Sequence, residues 1–367
     1  MRSRVPLVVL AVLVLAGGIV AAVATRGGCT LDDVPPVPAT GETRPPDLAA
    51  LGAAPPAHAT PVGDVDALAA TPDADVLLAG AVLSARHPRT GALLWSVAVP
   101  GETATIAVSG NRVVGATTTD RLRIFGLDAA TGTDRWCRER GASAWPTSPL
   151  VTVGDRAVLA RQGALTAVDA TTGAVAWEVP ATATRLLPAG GRIVADTGAS
   201  YAVSDGAQLA PPVPDAEAVA ADTDLTLLRR AGQLVAIDRA GTTRWTAPSR
   251  GTGDHSATIL ADGVVLDAVR TEIGDRSGFR GLDAATGGQL WRTDDDVLGG
   301  RSFRAFVPAG GHPLVVARSA VGRYDPHTGE ARIATADGTV AALATDPTGR
   351  VALVLDGVLV SYPRAPR

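Results

Sequence analysis

One short pattern returns along nearly the whole of this chain: a turn-forming residue four places before a glycine, and a tryptophan four places after it. The clearest copies are Asp128 to Trp136 (DAATGTDRW), Asp169 to Trp177 (DATTGAVAW) and Asp283 to Trp291 (DAATGGQLW), while His87 to Trp95 (HPRTGALLW) keeps the spacing with His in first place. Asp238 to Trp245 (DRAGTTRW) is one residue shorter before its glycine, Asp325 to Ile333 ends on Ile, and Ser204 to Ala210 is a worn copy. A chain that repeats one unit at intervals of tens of residues buries its apolar faces by stacking the units.

Each copy reads as a hairpin. The D-x-x-T-G stretch is turn chemistry, in which the Asp carboxylate accepts from backbone N–H groups just ahead of it and Gly supplies the positive φ that closes the loop. A β-rich run such as LTAVD or QLVAID precedes each turn, and a strand carrying the Trp follows it. The glycines stand at 91, 132, 173, 206, 241, 287 and 329, a spacing that suits a four-stranded propeller blade. Eight sets of strands can be laid down from Val65, which predicts an all-β, eight-bladed propeller of four-stranded blades. Seven is the alternative, if the worn set at 185–212 merges with a neighbour.

The fullest form, AVDATTGAVAW from Ala167 to Trp177, resembles the tryptophan-docking motif of the PQQ-like (quinoprotein-type) β-propeller repeat family. The resemblance covers roughly residues 62 to 362 and implies that Trp95, Trp136, Trp177, Trp245 and Trp291 hold blades together and do not act chemically. The turn aspartates are likewise read as caps. The family includes quinone-dependent dehydrogenases as well as scaffolds and assembly factors, so fold does not decide activity. An enzyme of this type would be expected to have a vicinal Cys-Cys pair, a calcium site using Asn and acidic ligands, and a catalytic Asp. This chain has no Cys-Cys pair and one asparagine, Asn111 in a short turn. The expectation is therefore a non-enzymatic member without a cofactor, the quinone-dependent dehydrogenase remaining the alternative.

Composition sets further bounds. A formal charge of -4 argues against nucleic acid as a partner. All 33 basic residues are Arg, which excludes a lysine nucleophile or Schiff base.

Residues 1–4 carry Arg2 and Arg4, and Val5 to Ala24 is an uncharged run of 20 residues, enough at ~1.5 Å per residue to cross a bilayer core. The flanking charge favours a cytoplasmic N-terminus and an exported remainder. The reading is a single-pass transmembrane anchor; the alternative is a signal peptide cut after Ala22-Val23-Ala24, leaving a secreted protein. Arg26 stands where a lipoprotein signal would need an aliphatic residue before Cys29. Residues 25–57 form a Pro-rich stalk, and 58–367 form the propeller. The eighth set ends at the C-terminus without a fourth strand, so the residues from His58 to Val62 are positioned to supply it and close the ring.

Function is then sought where the repeat breaks. First-to-second and third-to-fourth strand turns share one face, and are short. The irregular segments (Arg138 to Ser148, Pro248 to Ser256, Arg270 to Gly278 and Thr293 to Phe303) belong to the other. On that elaborated face stand Trp145, the one Trp outside the repeat, with Arg138, Arg140, Arg250, His255, Glu272, Arg276, Asp294, Asp295, Asp296 and Arg301. Loops on a rigid scaffold are where binding residues concentrate. The consecutive carboxylates lack the alternating spacing of a calcium loop, and His255 has no nearby partner for zinc. The expected function is a monomeric, membrane-anchored binding or scaffolding module for an extracytoplasmic protein or cell-envelope partner. Export also places Cys29 and Cys137 in an oxidising compartment, where a pair is expected to form a disulfide. Loss or modification of Cys29 with a signal peptide, or a free, half-buried Cys137, are the other readings.

Overall fold

The computed structural model describes residues 29–36, 55–99, 101, 103–118, 121–142, 149–161, 163–249, 258–270, 277–293, 303–307, 313–336 and 338–363. Its strands form eight four-stranded antiparallel sheets. Seven are built from consecutive strands. Blade one runs from the inner strand Ala67–Ala70 to the outer strand Leu93–Ala98, blade two from Thr103–Ser109 to Trp136–Ala142, and blade three from Leu150–Val153 to Val175–Pro180. Blade four runs from Leu186–Pro188 to Gln208–Ala210, blade five from Glu217–Ala221 to Thr243–Pro248, blade six from Thr258–Ala261 to Gln289–Thr293, and blade seven from Phe303–Val307 to Ala331–Thr335. The worn set is thus a blade in its own right, with short strands.

Blade eight has the inner strands Val340–Thr345, Val351–Leu355 and Val358–Tyr362, and takes its outer strand, His58–Pro61, from the other end of the chain. His58 pairs with Ser361 and Pro61 with Val358. Inner strands touch their neighbours all the way round, blade eight against blade one included. The ring is therefore closed and its inner strands have no open edge.

Sequence pattern follows position within a blade. Middle strands are packed between two neighbouring blades and read as continuous apolar runs, as in Val351–Leu355 (VALVL) and Leu314–Ala317 (LVVA). Outer strands alternate: in Val175–Pro180 only Trp177 is buried among polar or exposed neighbours. In blades one, three, five and six the ladder between third and fourth strands shifts register just before the turn, a bulge that re-aims the Trp toward the next blade.

The docking residues behave as the resemblance implies. Each indole Nε1 donates to a carbonyl in the following blade's turn: Trp95 to Ala129 (2.8 Å), Trp136 to Ala170 (3.1 Å), Trp177 to Val203 (2.7 Å), Trp245 to Ala284 (2.7 Å) and Trp291 to Pro326 (2.7 Å). The ring lies on the turn glycine of that blade, where a Cβ on Gly132 would come within 2.6 Å of Trp95 and one on Gly287 within 2.6 Å of Trp245. Glycine is thus required twice, for its positive φ and for the surface it leaves bare. The Asp residues cap their turns. Asp283 Oδ1 accepts from Ala285 N, Thr286 N and Thr286 Oγ1 at 2.8 to 3.1 Å, and donation from the Thr286 hydroxyl holds its carboxyl below the usual range.

Part of the expected stalk is structured. Leu31 is buried in the core shared by blades one and two, Asp33 bridges antiparallel to Val97, Ala98 N donates to Asp32 O (2.8 Å) and Val34 N to Ser96 O (3.2 Å). The stretch is bridged to the outer edge of blade one at a single residue pair. Cys29 and Cys137 are joined, with their Cα atoms 5.4 Å apart. Arg135 adds a clamp to Leu31 O (2.9 Å) and Asp33 Oδ1 (2.6 Å). Residues 1–28 and 37–54, including Val5 to Ala24 and most of the stalk, lie outside the described residues; no described helix is long and apolar enough to cross a membrane.

Candidate functional site

The ring's two faces differ in the length of their connections. On the turn-motif face no strand-to-strand connection is longer than 129–135, followed by 87–92, 325–330 and, where a short turn was expected, 308–313. The opposite face carries the two longest, 249–257 and 294–302, with 143–149 and 211–216 also between blades and 271–276 within blade six. The two longest flank blade six. Trp145, Arg250, His255, Glu272, Arg276, Asp294, Asp295, Asp296 and Arg301 sit in these connections and lie outside the described residues.

Two of the expected residues are described, both on the outer strand of blade two, whose far end leads into connection 143–149. Arg138 on the outer strand of blade two is exposed, and its Nη2 donates to Thr172 O (3.2 Å) in the turn motif of blade three. It therefore braces a blade seam on the opposite side from the long connections. Arg140 is half-buried on the same strand, opposite Leu122.

Beneath the long connections of blades five and six lies a feature that composition did not single out. Asp267, fully buried on the second strand of blade six, accepts from Arg280 Nε (3.1 Å) and Nη2 (2.7 Å) through one oxygen and from Thr258 Oγ1 (2.8 Å) through the other. Arg229 of blade five reaches Thr258 Oγ1 at 3.2 Å and stands 3.9 Å from Asp267. Thr258 opens the inner strand at the end of connection 249–257, so this ion cluster fixes the base from which the loops spring. The sequence signal was present as three polar residues inside apolar strands, TILA, VVLDAVR and SGFRGLD.

A second cluster closes the ring. Arg350 donates to Asp75 Oδ1 (2.5 Å), Ser361 Oγ (2.7 Å), Thr71 O (2.6 Å) and Asp346 Oδ2 (3.2 Å), all buried. It joins blade eight to blade one, where blade eight has no tryptophan to dock. His58 of the closing strand stands 4.0 Å from Asp75; burial, aided by the charges of Arg350 and Arg86, lowers its pKa to about 4. Among the described residues no group of three or more His, Cys, Asp or Glu is placed to hold a metal. Asn111 binds Asp128 Oδ2 (3.1 Å) between two turns of blade two.

A family model described as "Outer membrane protein assembly factor BamB" matches residues 16–210 and 203–362. The chain belongs to this PQQ-like repeat family. Among solved structures with the same fold is BamB from Moraxella catarrhalis, at 18% identity and a TM-score of 0.60, covering 83% of this chain and 98% of that one. The quinohemoprotein alcohol dehydrogenase ADHIIG from Pseudomonas putida HK5 aligns with a TM-score of 0.56 at 12% identity, over 84% of this chain and 76% of that chain. The C-terminal WD40 domain of Sif2 aligns with a TM-score of 0.57 at 11% identity, over 85% of this chain and 98% of its own. No curated protein matches the chain in sequence. Likeness at these identities is likeness of fold, and PQQ-like propellers thus share their architecture with proteins of unrelated activity.

Proposed function

We propose that the protein is a non-enzymatic binding or scaffolding propeller of the cell envelope, held at the membrane through Val5 to Ala24, with its partner, a protein or another envelope component, on the elaborated face. The observation that carries this reading is that the two longest connections between strands, 249–257 and 294–302, belong to one face and flank blade six. They stand on a base fixed by the Asp267 cluster. The family description, which names an assembly factor for outer membrane proteins, supports a protein partner. The paired cysteines support an oxidising, extracytoplasmic compartment. Trp145 and the arginines Arg250, Arg276 and Arg301 are of the residue types that dominate interface energetics.

Recovery of partners from membranes by the tagged full-length chain tests it. Arg276→Glu with Arg301→Glu should abolish recovery, whereas Thr131→Ala with Thr286→Ala on the turn-motif face should leave it intact. The reverse pattern overturns the assignment. Added quinone and calcium should leave the absorbance spectrum the sum of its components, and a bound quinone spectrum would revive the dehydrogenase reading.

A further inference from the structure

The repeat makes the blade seams comparable residue by residue. In blade three the third strand pairs Ala164 with Pro180 and Ala167 with Trp177; in blade eight the same steps pair Val358 with Pro61 and Ser361 with His58. His58 therefore stands where five other blades dock a tryptophan. Its ring lies on the turn glycine of blade one, where a Cβ on Gly91 would come within 2.7 Å of His58 Nδ1. Unlike each indole, the imidazole makes no hydrogen bond across its seam among the described residues. Nδ1 pairs with Thr60 Oγ1 of its own strand (3.1 Å). Nε2 is buried 4.0 Å from Asp75 Oδ2, and neither of these two atoms has a hydrogen-bond partner among the described residues.

The seam between blades four and five is the comparison within the ring. Ala210 holds the docking position there, over Gly241. Arg192, buried at the repeat position of Arg350, donates through Nη2 to Asp222 O (2.9 Å) of blade five, as Arg350 donates to Thr71 O of blade one. Thr226 stands in the place of Asp75. Two seams four blades apart are thus braced by a buried arginine instead of an indole, and of the two, the one that shuts the ring carries an imidazole.

We propose that His58 is a proton-operated catch: with its imidazole neutral the strand His58–Pro61 shuts the ring, and protonation releases that strand while the other blades keep their fold. The charges facing the imidazole set the direction. Arg350 and Asp346 approach from blade eight, and Asp75, Arg86 and His87 from blade one. Two carboxylates already offset two guanidinium groups, so a proton on His58 leaves an unbalanced positive charge away from water. Burial first, then Arg350, Arg86 and His87, lower its pKa to about 4 accordingly. Asp75 works the other way, since burial pushes its carboxyl up and its protonation favours the closed strand; its bond to Arg350 opposes that protonation. Release is local because the catch is short. Four residues pair with blade eight, backbone bonds from Ala57, Val62 and Gly63 to Ser361 and Gly357 complete the attachment, and no other blade contains this strand. The device concerns closure of the ring and is independent of which face meets a partner.

Amide hydrogen exchange of the oxidised full-length chain at pH 7 and at about pH 4.5, each corrected to the intrinsic exchange rate, tests the catch. Protection of the Ala57, Val62 and Gly63 amides should fall about tenfold or more, under a ceiling of roughly 60-fold set by titration at about 4 when closed and 6.5 when open. The tryptophan-docked strand Val175–Pro180 and the strand Gln208–Ala210 at the other arginine-braced seam should hold their protection. His58→Gln, neutral at both pH values, should remove the fall. His58→Phe, neutral as well and able to seat a ring on Gly91, gives the same readout if Gln loosens the strand at both pH values. Full protection of the parent strand at the lower pH, an equal fall in both variants, or an equal fall in all three strands overturns the proposal.

Discussion

The indole of Trp245 lies against Gly287 of the next blade, and that pair shows how the repeat specifies its own assembly. Gly287 and Gly263 share a φ of 73°, but a Cβ on Gly263 would meet nothing within 4 Å. Gly263→Ala should therefore cost only the left-handed strain of ~1–2 kcal/mol. Gly287→Ala should add the overpacking cost of ~1–3 kcal/mol, and denaturant melts of the two variants read the difference. If they melt together, the close approach to Trp245 carries no energy. Trp177 is 7% exposed and bonded to Val203 O, so Trp177→Ala should cost ~3–5 kcal/mol; a melt unchanged from the parent would refute docking. These residues were legible because spacing exposes them. Arg350 and Asp267 were not, since their partners stand on neighbouring strands or in blades distant in sequence, and a lone Asp or Arg in a strand carries no mark of what it meets.

Among the elements, the closing strand and the docked N-terminal stretch behave differently under changed conditions. His58 titrates at about 4 in the fold and at about 6.5 when unfolded, because burial disfavours its cation. The unfolded chain thus binds the extra proton between these values, so stability is intact above pH 6.5 and declines as pH falls toward 4, by no more than ~3 kcal/mol. His58→Gln should flatten that slope, measured as chemical denaturation against pH; an unaltered slope would assign it to other groups. The Cys29–Cys137 bond closes a loop with a separation of 108 residues, for which chain entropy sets an upper bound near ~4.7 kcal/mol. Denatured, non-reduced protein should show no reactive thiols and reduced protein two. The closing strand could be anticipated because the eighth set lacks a fourth strand. The docked stretch at 31–34 could not, because TLDDV carries no alternation and sits in a proline-rich stretch that reads as linker.

For the whole molecule, the repeat fixed blade order and pointed to eight blades with seven as the alternative, while the proposed partner face was readable only as the place where the repeat is interrupted. Trp145 and the loop charges follow no period, so sequence could name them without placing them. The disulfide has a mechanical consequence for a propeller held at one end by the proposed anchor. The closing strand His58–Pro61 lies inside the covalent loop from Cys29 to Cys137, so tension arriving from the N-terminal side passes from Cys29 directly into the outer strand of blade two and bypasses the strand that shuts the ring. The clasp is shielded from the pull. Optical-tweezer extension from both termini should therefore give oxidised protein a final contour roughly 350–390 Å shorter than reduced protein, and under reducing conditions the ring should open first at blade eight, at a lower force.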